Sequence, residues 1–193
     1  MSKNESYFSG EKYNLKAKKL GYRSRAAFKL IDINKKEDIL RKNLNIIDLG
    51  SAPGGWSQVV SKELNGTGSI IAIDILDMPK IKDVKFIKSD LKEFDQNKLN
   101  QPIDVVISDI APNISGVRFI DDTNMIDLLE IELSIVDKTL VKGGNFLAKC
   151  FEGVSSEFLR KEINKRFKIM KRLKPDSSRK ISKEIYLLGL NKN

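Results

Sequence analysis

Seven short apolar runs alternate with more polar segments along this chain. The apolar runs predict β-strands at 46–49, 69–74, 84–87, 103–107, 145–149, 169–173 and 185–190. The segments between and before them predict α-helices at 11–20, 25–36, 56–64, 123–140 and 155–167. Strands that alternate with helices predict an α/β fold with a mostly parallel, twisted sheet covered on both faces. The last two strands have only a loop between them, so they must pair antiparallel.

The stretch 46–58, IIDLGSAPGGWSQ, joins a buried strand to a helix through a glycine-rich turn. Because glycine has no Cβ, the backbone of this turn can approach a ligand closely. Strand, glycine turn and helix N-terminus form the cofactor-binding corner of Rossmann-like units, although an ordinary βα turn has the same ingredients. The pattern is GxxxGG, which lacks the GxGxxG spacing of dinucleotide sites and the Lys-Ser/Thr of a P-loop. The turn therefore suits a nucleoside ligand with little or no phosphate, such as S-adenosylmethionine.

Charged side chains stand at the ends of four predicted strands. Asp74, Asp90 and Asp109 come at or just after the second, third and fourth strands, and Lys149 closes the fifth. Since ligands bind outside the carboxyl ends of the strands in such sheets, we expect these groups to share one site with the glycine turn. Each aspartate alone is equally compatible with a helix cap or a turn, and Lys149 with a side chain that extends to solvent. Three acids at successive strand ends favour the shared site, with Asp74 holding ribose hydroxyls.

The composition indicates a soluble globular protein and excludes several kinds of chemistry. The 193 residues are 40% apolar and 32% charged, which fits one domain, 1–193, with an N-terminal helical extension at 1–44 and a Rossmann-like core at 45–193. No apolar run is long enough to span a membrane. The single cysteine, Cys150, excludes an internal disulfide and indicates a reducing intracellular compartment, for which cytoplasm, nucleolus and mitochondrion fit equally. The absence of histidine removes the usual general base and argues against a protein-held metal ion.

The net charge of +9 is concentrated at two flanks of the chain. Residues 1–44 carry a net charge of +7 and residues 160–183 carry +9, whereas residues 45–159 carry −7. Two basic flanks that fold onto one side would bind a phosphate backbone, although a pair of solvated helix faces is the alternative. We interpret the flanks as a nucleic-acid surface. The candidate phosphate contacts are Lys16, Lys18, Lys19, Arg23, Arg25, Lys174, Arg179, Lys180 and Lys183.

Four motifs in this order resemble one family of enzymes. They are EKYNLKAKKLGYRSRAAFKL, DLGSAPGGWSQ, SDIAPNISG and KPDSSRKISKEIY. Over about residues 12–190 the chain resembles the FtsJ/RrmJ family of ribose 2′-O-methyltransferases, which act on large-subunit ribosomal RNA. The resemblance implies a Rossmann-like S-adenosylmethionine-dependent methyltransferase fold, with a seven-stranded sheet of order 3-2-1-4-5-7-6 and strand 7 antiparallel. The alternation of strands and helices described above agrees with this topology.

The catalytic tetrad of that family, Lys-Asp-Lys-Glu, falls on residues of the same types in this chain. By motif position these residues are Lys29, Asp109, Lys149 and Glu184. The family's cofactor contacts fall on Gly54, Trp56, Asp74, Asp90 and Asp109. Burial and a second lysine nearby both disfavour the charged form of a lysine, so Lys29 can help Lys149 to accept the ribose hydroxyl proton. Asp109 would then orient Lys149 and Glu184 would balance Lys29, while a Lys149 that only positions the hydroxyl stays an open alternative.

The resemblance implies 2′-O-methylation of a uridine in the peptidyl-transferase A loop of large-subunit ribosomal RNA. It implies a monomer that acts on a ribosomal particle with S-adenosylmethionine, without a metal and away from membranes. A 2′-O-methyltransferase for the tRNA anticodon loop shares the tetrad and is the nearest alternative, although GGWSQ and KPDSSR are more similar to the ribosomal branch. An RNA-binding protein that has lost catalysis is a second alternative, disfavoured by the intact tetrad. An NAD-dependent dehydrogenase is disfavoured because GxGxxG is missing.

Overall fold

A seven-stranded sheet with helices on both faces dominates the computed structural model, which describes residues 3–99, 101–179 and 181–193. No helix within those ranges is both long enough and apolar enough to cross a membrane. In chain order the elements are α1 (Lys3–Lys19), α2 (Ala26–Glu37), β1 (Asn45–Leu49), α3 (Gly55–Leu64), β2 (Ser69–Asp74), β3 (Val84–Lys88), a 3₁₀ turn (Gln96–Lys98), β4 (Ile103–Ser108), α4 (Arg118–Thr139), β5 (Leu140–Phe151), α5 (Val154–Arg166), β6 (Phe167–Leu173) and β7 (Glu184–Lys192).

The strand order is β3-β2-β1-β4-β5-β7-β6, and β7 is antiparallel to both of its neighbours. The predicted order and the predicted antiparallel strand are confirmed. Strands β1 to β5 run parallel, so their carboxyl ends lie along one edge of the sheet. Because β7 is antiparallel, its first residue, Glu184, reaches the same edge, opposite Phe151 at the end of β5. The topology thus collects the candidate site residues of five strands on one edge.

Apolar side chains cover the sheet on both faces. On one face, α4 and α5 pack side chains such as Leu129 and Ile163 against the strands, and both are fully buried. On the other face, α2 and α3 do the same with Leu30 and Val60. The lysine- and aspartate-bearing strand ends are therefore held between two packed layers. That packing gives the side chains at the edge a fixed framework.

Several element boundaries differ from the sequence predictions, among them the start of α4, which is Arg118 instead of residue 123. Helix α1 begins eight residues earlier than predicted. Strand β5 begins at Leu140 and continues through Gly143 and Gly144, so these glycines do not end a helix; Leu140 pairs with Ile103 of β4 across a register shift. Phe167 opens β6 instead of closing α5, because its backbone pairs with β7. Ser24 is a plausible cap for α2 from the sequence, but Arg25 occupies the cap position. No side-chain hydrogen bond caps that helix.

Candidate active site

The turn between β1 and α3 requires glycine at two positions. Gly50 and Gly54 both have left-handed backbones, with φ of +68° and +107°. A Cβ on Gly50 would lie 2.6 Å from the Cβ of Ile110, and a Cβ on Gly54 would lie 2.6 Å from the Cδ1 of Ile81. Backbone conformation and lack of space therefore each exclude larger residues. The turn keeps bare backbone exposed to any ligand at this corner of the sheet.

Asp74 and Asp90 stand at the ends of the next two strands, close to that turn. The Asp74 carboxylate accepts hydrogen bonds of 2.8 Å from the N–H groups of Ala52 and Leu76. Asp90 is exposed, and its carboxylate accepts a 2.9 Å bond from the Lys92 N–H. Each acid thus shapes a turn, as the structural alternative predicted. An ionised carboxylate has about four acceptor positions, so both retain capacity for ligand hydroxyl or amino groups.

The Trp56 indole is buried in the core, away from the open side of the glycine turn. Its side chain is 3% exposed, and its Nε1–H donates to the Ala26 carbonyl at 2.9 Å. The ring packs against Tyr186 with a centroid separation of 5.7 Å. The indole therefore links α2, α3 and β7. A ligand would meet Trp56 through its backbone N–H, in the first turn of α3.

Four charged side chains meet at the shared edge of α2, β4, β5 and β7. The Lys29 ammonium lies 2.7 Å from Glu184 Oε1 and 3.9 Å from Asp109 Oδ1. The Lys149 ammonium lies 3.3 Å from Asp109 Oδ1 and donates to the Asp109 backbone carbonyl. The four side chains are 9–16% exposed, so they are largely desolvated and still open to a ligand. The structure thus brings together all four residues of the predicted tetrad, with Asp109 between two ammonium groups.

Tyr186 connects the two acids of the tetrad, although the sequence analysis did not single it out from the KEIY motif. Its hydroxyl donates to Asp109 Oδ1 at 2.6 Å and lies 3.4 Å from Glu184 Oε1. Burial and the charges of Asp109 and Glu184 raise the pKa of Tyr186 well above its usual value, so the hydroxyl remains a donor. Burial raises the pKa of Glu184, but the Lys29 ammonium and, more weakly, Lys149 outweigh burial and hold this pKa below its usual value. Glu184 is therefore ionised at neutral pH.

Two buried acids lie beneath this site and were not foreseen. Asp48 of β1 is 1% exposed and accepts a 2.6 Å bond from Ser57; burial, the largest effect, raises the pKa of Asp48 to about 7. Glu132 of α4 is fully buried, and one of its oxygens accepts a 2.7 Å bond from Ser108. Its other oxygen has no hydrogen-bond partner in the described part of the chain. Burial raises the pKa of Glu132 to about 8, against the opposing effects of Ser108 and the Lys149 charge. For Glu132 the sequence offered one indication of a buried acid, its inward-facing position in the predicted helix.

We expect Glu132→Gln to change how stability depends on pH. The folded pKa of Glu132 lies above its unfolded value, so its contribution is full below pH 4.5 and is lost as pH rises towards about 8. This loss amounts to a few kcal/mol, and glutamine, which does not ionise, removes it. The unfolding free energy of the variant minus that of the wild type should therefore be larger at pH 8.5 than at pH 5. Chemical denaturation at both pH values measures this, and parallel pH dependences would contradict a buried, neutral Glu132.

Parts of the two basic flanks meet beside Glu184: the loop before β7 contacts α2, whereas α5, at the start of the second flank, packs with α4 on the other face of the sheet. The Ser177 N–H donates to the Asp32 carboxylate of α2 at 3.0 Å, which fastens the loop before β7 to the N-terminal segment. Burial and the Arg179 guanidinium lower the pKa of Arg25, and the Glu184 carboxylate opposes them only in part. Two guanidinium groups from opposite ends of the chain thus lie within Coulombic range of each other. A nucleic-acid surface on this side of the molecule stays a prediction.

Two of the predicted phosphate contacts have structural partners instead. The Arg23 guanidinium donates to the carbonyls of Pro53, Pro79 and Lys80 at 2.6–3.1 Å, so it clamps the glycine turn to the loop after β2. The Lys174 ammonium donates to the Ser182 and Glu184 carbonyls. Lys180 lies outside the described residues.

Comparison with known proteins gives one consistent family. The sequence profile of the FtsJ-like methyltransferases matches residues 22–192. The chain is 43% identical to Ribosomal RNA large subunit methyltransferase E of Pseudomonas fluorescens strain Pf0-1, over 92% of this chain and 88% of that protein. It is also 43% identical to the protein of that name from Nitrosospira multiformis, over 91% and 88%.

Solved structures agree on the fold. A candidate ribosomal RNA methyltransferase of Plasmodium falciparum is 29% identical, with a TM-score of 0.79 over 89% of this chain and 98% of that one. Fibrillarin of Aeropyrum pernix, crystallised with natively bound S-adenosyl-L-methionine, is 15% identical, with a TM-score of 0.65 over 88% and 75%. The second likeness shows a shared fold only.

Proposed function

The chain belongs to the FtsJ-like methyltransferase family, and we propose that it transfers a methyl group from S-adenosylmethionine to a ribose 2′-oxygen of large-subunit ribosomal RNA. The family match spans all four tetrad positions. The relatives named above as large-subunit methyltransferases support ribosomal RNA as substrate. We further propose a uridine of the peptidyl-transferase A loop, presented in a ribosomal particle, as the target. The likeness of GGWSQ and KPDSSR to the ribosomal branch supports this choice over tRNA.

The contact of two lysines with one aspartate carries this proposal. Asp109 holds the Lys149 ammonium through both its carboxylate and its backbone carbonyl, at a partly open edge of the sheet. Burial of a lysine beside two other charged groups is costly unless the arrangement is used. A purely structural ion pair would need neither Lys29 nor the tyrosine bridge to Glu184. The cluster is a fixed set of donors and acceptors of the kind that positions a hydroxyl for reaction.

The residues around the glycine turn fit S-adenosylmethionine. Gly50 and Gly54 allow the tight turn, because a Cβ at either position would collide with Ile110 or Ile81, and no lysine of a phosphate-binding loop stands in the turn. Asp74 would accept from the ribose hydroxyls of the cofactor, and Asp90 would lie near its adenine. The N–H groups at the start of α3, including that of Trp56, would face its polar atoms. When bound, the cofactor supplies a sulfonium methyl group that is already activated for transfer to an oxygen nucleophile.

The tetrad must align the substrate hydroxyl and receive or direct its proton. Lys149 would bind the ribose 2′-oxygen from one side, and Asp109 keeps the Lys149 ammonium directed towards it. As the oxygen forms its new bond, the hydroxyl proton passes to Lys149 if that amine is neutral, or to solvent if Lys149 only positions the oxygen. Lys29 places a second positive charge 3.9 Å from Asp109, and Glu184 pairs with Lys29 at 2.7 Å. Precise alignment of this kind can supply much of the rate enhancement.

Transfer of labelled methyl groups to three RNA substrates tests the proposed function. The substrates are intact large ribosomal subunits, free ribosomal RNA and tRNA, and the modified nucleotide is mapped afterwards. We expect transfer to the subunits, at one nucleotide whose 3′ linkage becomes resistant to alkaline cleavage. Methylation of a base, or transfer to tRNA alone, would overturn the proposal.

Asp74→Ala tests the cofactor site. The change removes a charged acceptor of ribose hydroxyls, so S-adenosylmethionine binding should weaken by roughly 1.5–3 kcal/mol. Asp77→Ala is the matched control, because Asp77 is 84% exposed in the following loop, where it pairs with Lys88. Calorimetric titration measures the affinity of both variants for S-adenosylmethionine, and circular dichroism checks that the fold persists. Wild-type affinity in Asp74→Ala would refute the assignment.

A further inference from the structure

A cavity of about 360 Å³ opens next to the tetrad, and the chemistry described so far does not use it. Its lining includes Ile114, Arg118, Phe151 and Lys183. Phe151 lies two residues beyond Lys149 and pairs in register with Glu184, which Lys183 immediately precedes. The cavity thus begins two residue pairs along the strand ladder from the Lys149–Tyr186 pair. Its volume is at the lower end of the range typical of small-molecule sites, which suits a group the size of a nucleoside.

The cavity lining combines Ile114, Gly116 and Phe151 with five charged residues, and several apolar side chains of the neighbouring segments are exposed. Ile114 is 58% exposed, and Val117 and Phe119, a few residues further along, are 53% and 79% exposed. Val154 is 54% exposed and follows Gly153, which lies against the Arg118 side chain. Clustered exposed apolar side chains indicate a surface that binds something.

The acids at the cavity are already engaged within the protein. Asp121 accepts from both the N–H and the hydroxyl of Ser115 and from the Gly116 N–H, and it thereby shapes the loop. Glu152 pairs with Arg172. By contrast, Lys183 has no acidic side chain within ion-pair distance in the described part of the chain. The cavity therefore offers the apolar side chains of Ile114 and Phe151 and, at its edge, a lysine with no ion-pair partner among the described residues.

We propose that this cavity holds the base of the nucleotide whose ribose is methylated. The tetrad is only 9–16% exposed, so a ribose within a stacked helix would be held away from Lys149. The target nucleotide must leave its stack, and its base then loses its stacking partners. Ile114 and Phe151 replace them, while Lys183 binds an adjacent phosphate. This inference rests on the proposed function and assigns the substrate's base to a place beside the same site.

Ile114→Ala, compared on two substrates, tests the base site. One is a large subunit reconstituted with the mapped target nucleotide intact, and the other carries an abasic ribose at that position. On the intact subunit the variant should lose roughly 10-fold in kcat/KM, since a base contact of this kind is removed. On the abasic subunit, variant and wild type should be equal. If abasic methylation is too slow to measure, the affinities for the two subunits are compared instead.

Ile169→Ala is the matched control. Ile169 is 46% exposed on β6, the edge strand, so the change removes a similar apolar surface away from the cavity. It should leave both substrates unaffected. An equal loss on both substrates, or no loss on either, would overturn the base site while methylation by the wild type still stood. No transfer by the wild type to the intact subunit would instead overturn the proposed function.

Discussion

Replacing Lys149 with alanine is expected to lower methyl transfer by about 10²–10⁴-fold, the usual contribution of a positioned acid–base group. The side chain is 8% exposed and held by two groups of Asp109, so no solvent ion can take its place in the same geometry. Cofactor affinity should barely change, because the adenosine contacts that we propose lie at or after the ends of β1, β2 and β3. Single-turnover methyl transfer to intact subunits and calorimetric titration with S-adenosylmethionine measure the two quantities separately.

Lys149→Arg distinguishes the two roles that remain open for this residue. Arginine keeps the positive charge but does not deprotonate in a protein. If Lys149 accepts the proton, the arginine variant should be nearly as inactive as the alanine variant. If Lys149 supplies only a positive charge, a substantial part of the rate should remain, although the guanidinium has a different shape.

Lys142→Ala is the matched control for both variants. Lys142 lies on the same strand, β5, but at its exposed amino end. Its replacement should leave the rate unchanged. Full activity of Lys149→Ala on intact subunits would overturn the tetrad mechanism and favour an RNA-binding protein without catalysis.

The strand order and the convergence of the tetrad were both implied by the family resemblance, and the alternation of strands and helices along the chain agrees with them. Alternating strands and helices determine which ends of the strands face one edge, and the motifs place Asp109, Lys149 and Glu184 at those ends. The start of β5 could not be predicted in this way. Gly143 and Gly144 have weak strand preference, and only their position beside β4 makes them part of a strand.

The buried acids and the arginine clamp lay beyond sequence reasoning for a different reason. The surroundings of Glu132 come from β4 and β5, which are distant from α4 in the chain, so its local sequence predicted only a helix. Arg23 stands within a basic block, and block charge suggests phosphate binding for every member. Tertiary folding instead directs its guanidinium to one backbone carbonyl of the glycine turn and two of the loop after β2. Charge patterns predict a surface, but contacts decide which side chains belong to it.

Asp109→Asn should reduce both activity and stability, because Asp109 is the acid shared by two ammonium groups. Asparagine retains an oxygen that can accept from Tyr186, but it removes the negative charge 3.3 Å from Lys149 and 3.9 Å from Lys29. Removing one partner of a buried ion pair lowers the free energy of unfolding by about 3 kcal/mol or more. Because this site is partly exposed, we expect a loss of about 3 kcal/mol. We expect a loss of roughly 10²-fold in methyl transfer, since Lys149 is no longer oriented.

Asp104→Asn is the control for that change. Asp104 lies on the same strand, β4, and its carboxylate accepts a 2.8 Å bond from the Asn45 N–H, which an amide oxygen can also accept. Rate and unfolding free energy should therefore stay close to the wild-type values. An Asp109→Asn variant that matched this control in rate would contradict the assigned role of Asp109.

Adding Lys29→Met to Asp109→Asn separates charge balance from catalysis. In the single variant Asp109→Asn, the tetrad keeps two positive side chains, Lys29 and Lys149, and one negative side chain, Glu184. The double variant returns the net charge of the four positions to zero, so part of the lost unfolding free energy should be recovered. The rate should not recover, because Lys149 still lacks the carboxylate that orients it and has lost the repulsion from Lys29. Recovery of rate together with stability would show that Asp109 acts on folding alone, and would leave the orientation of Lys149 to its backbone carbonyl.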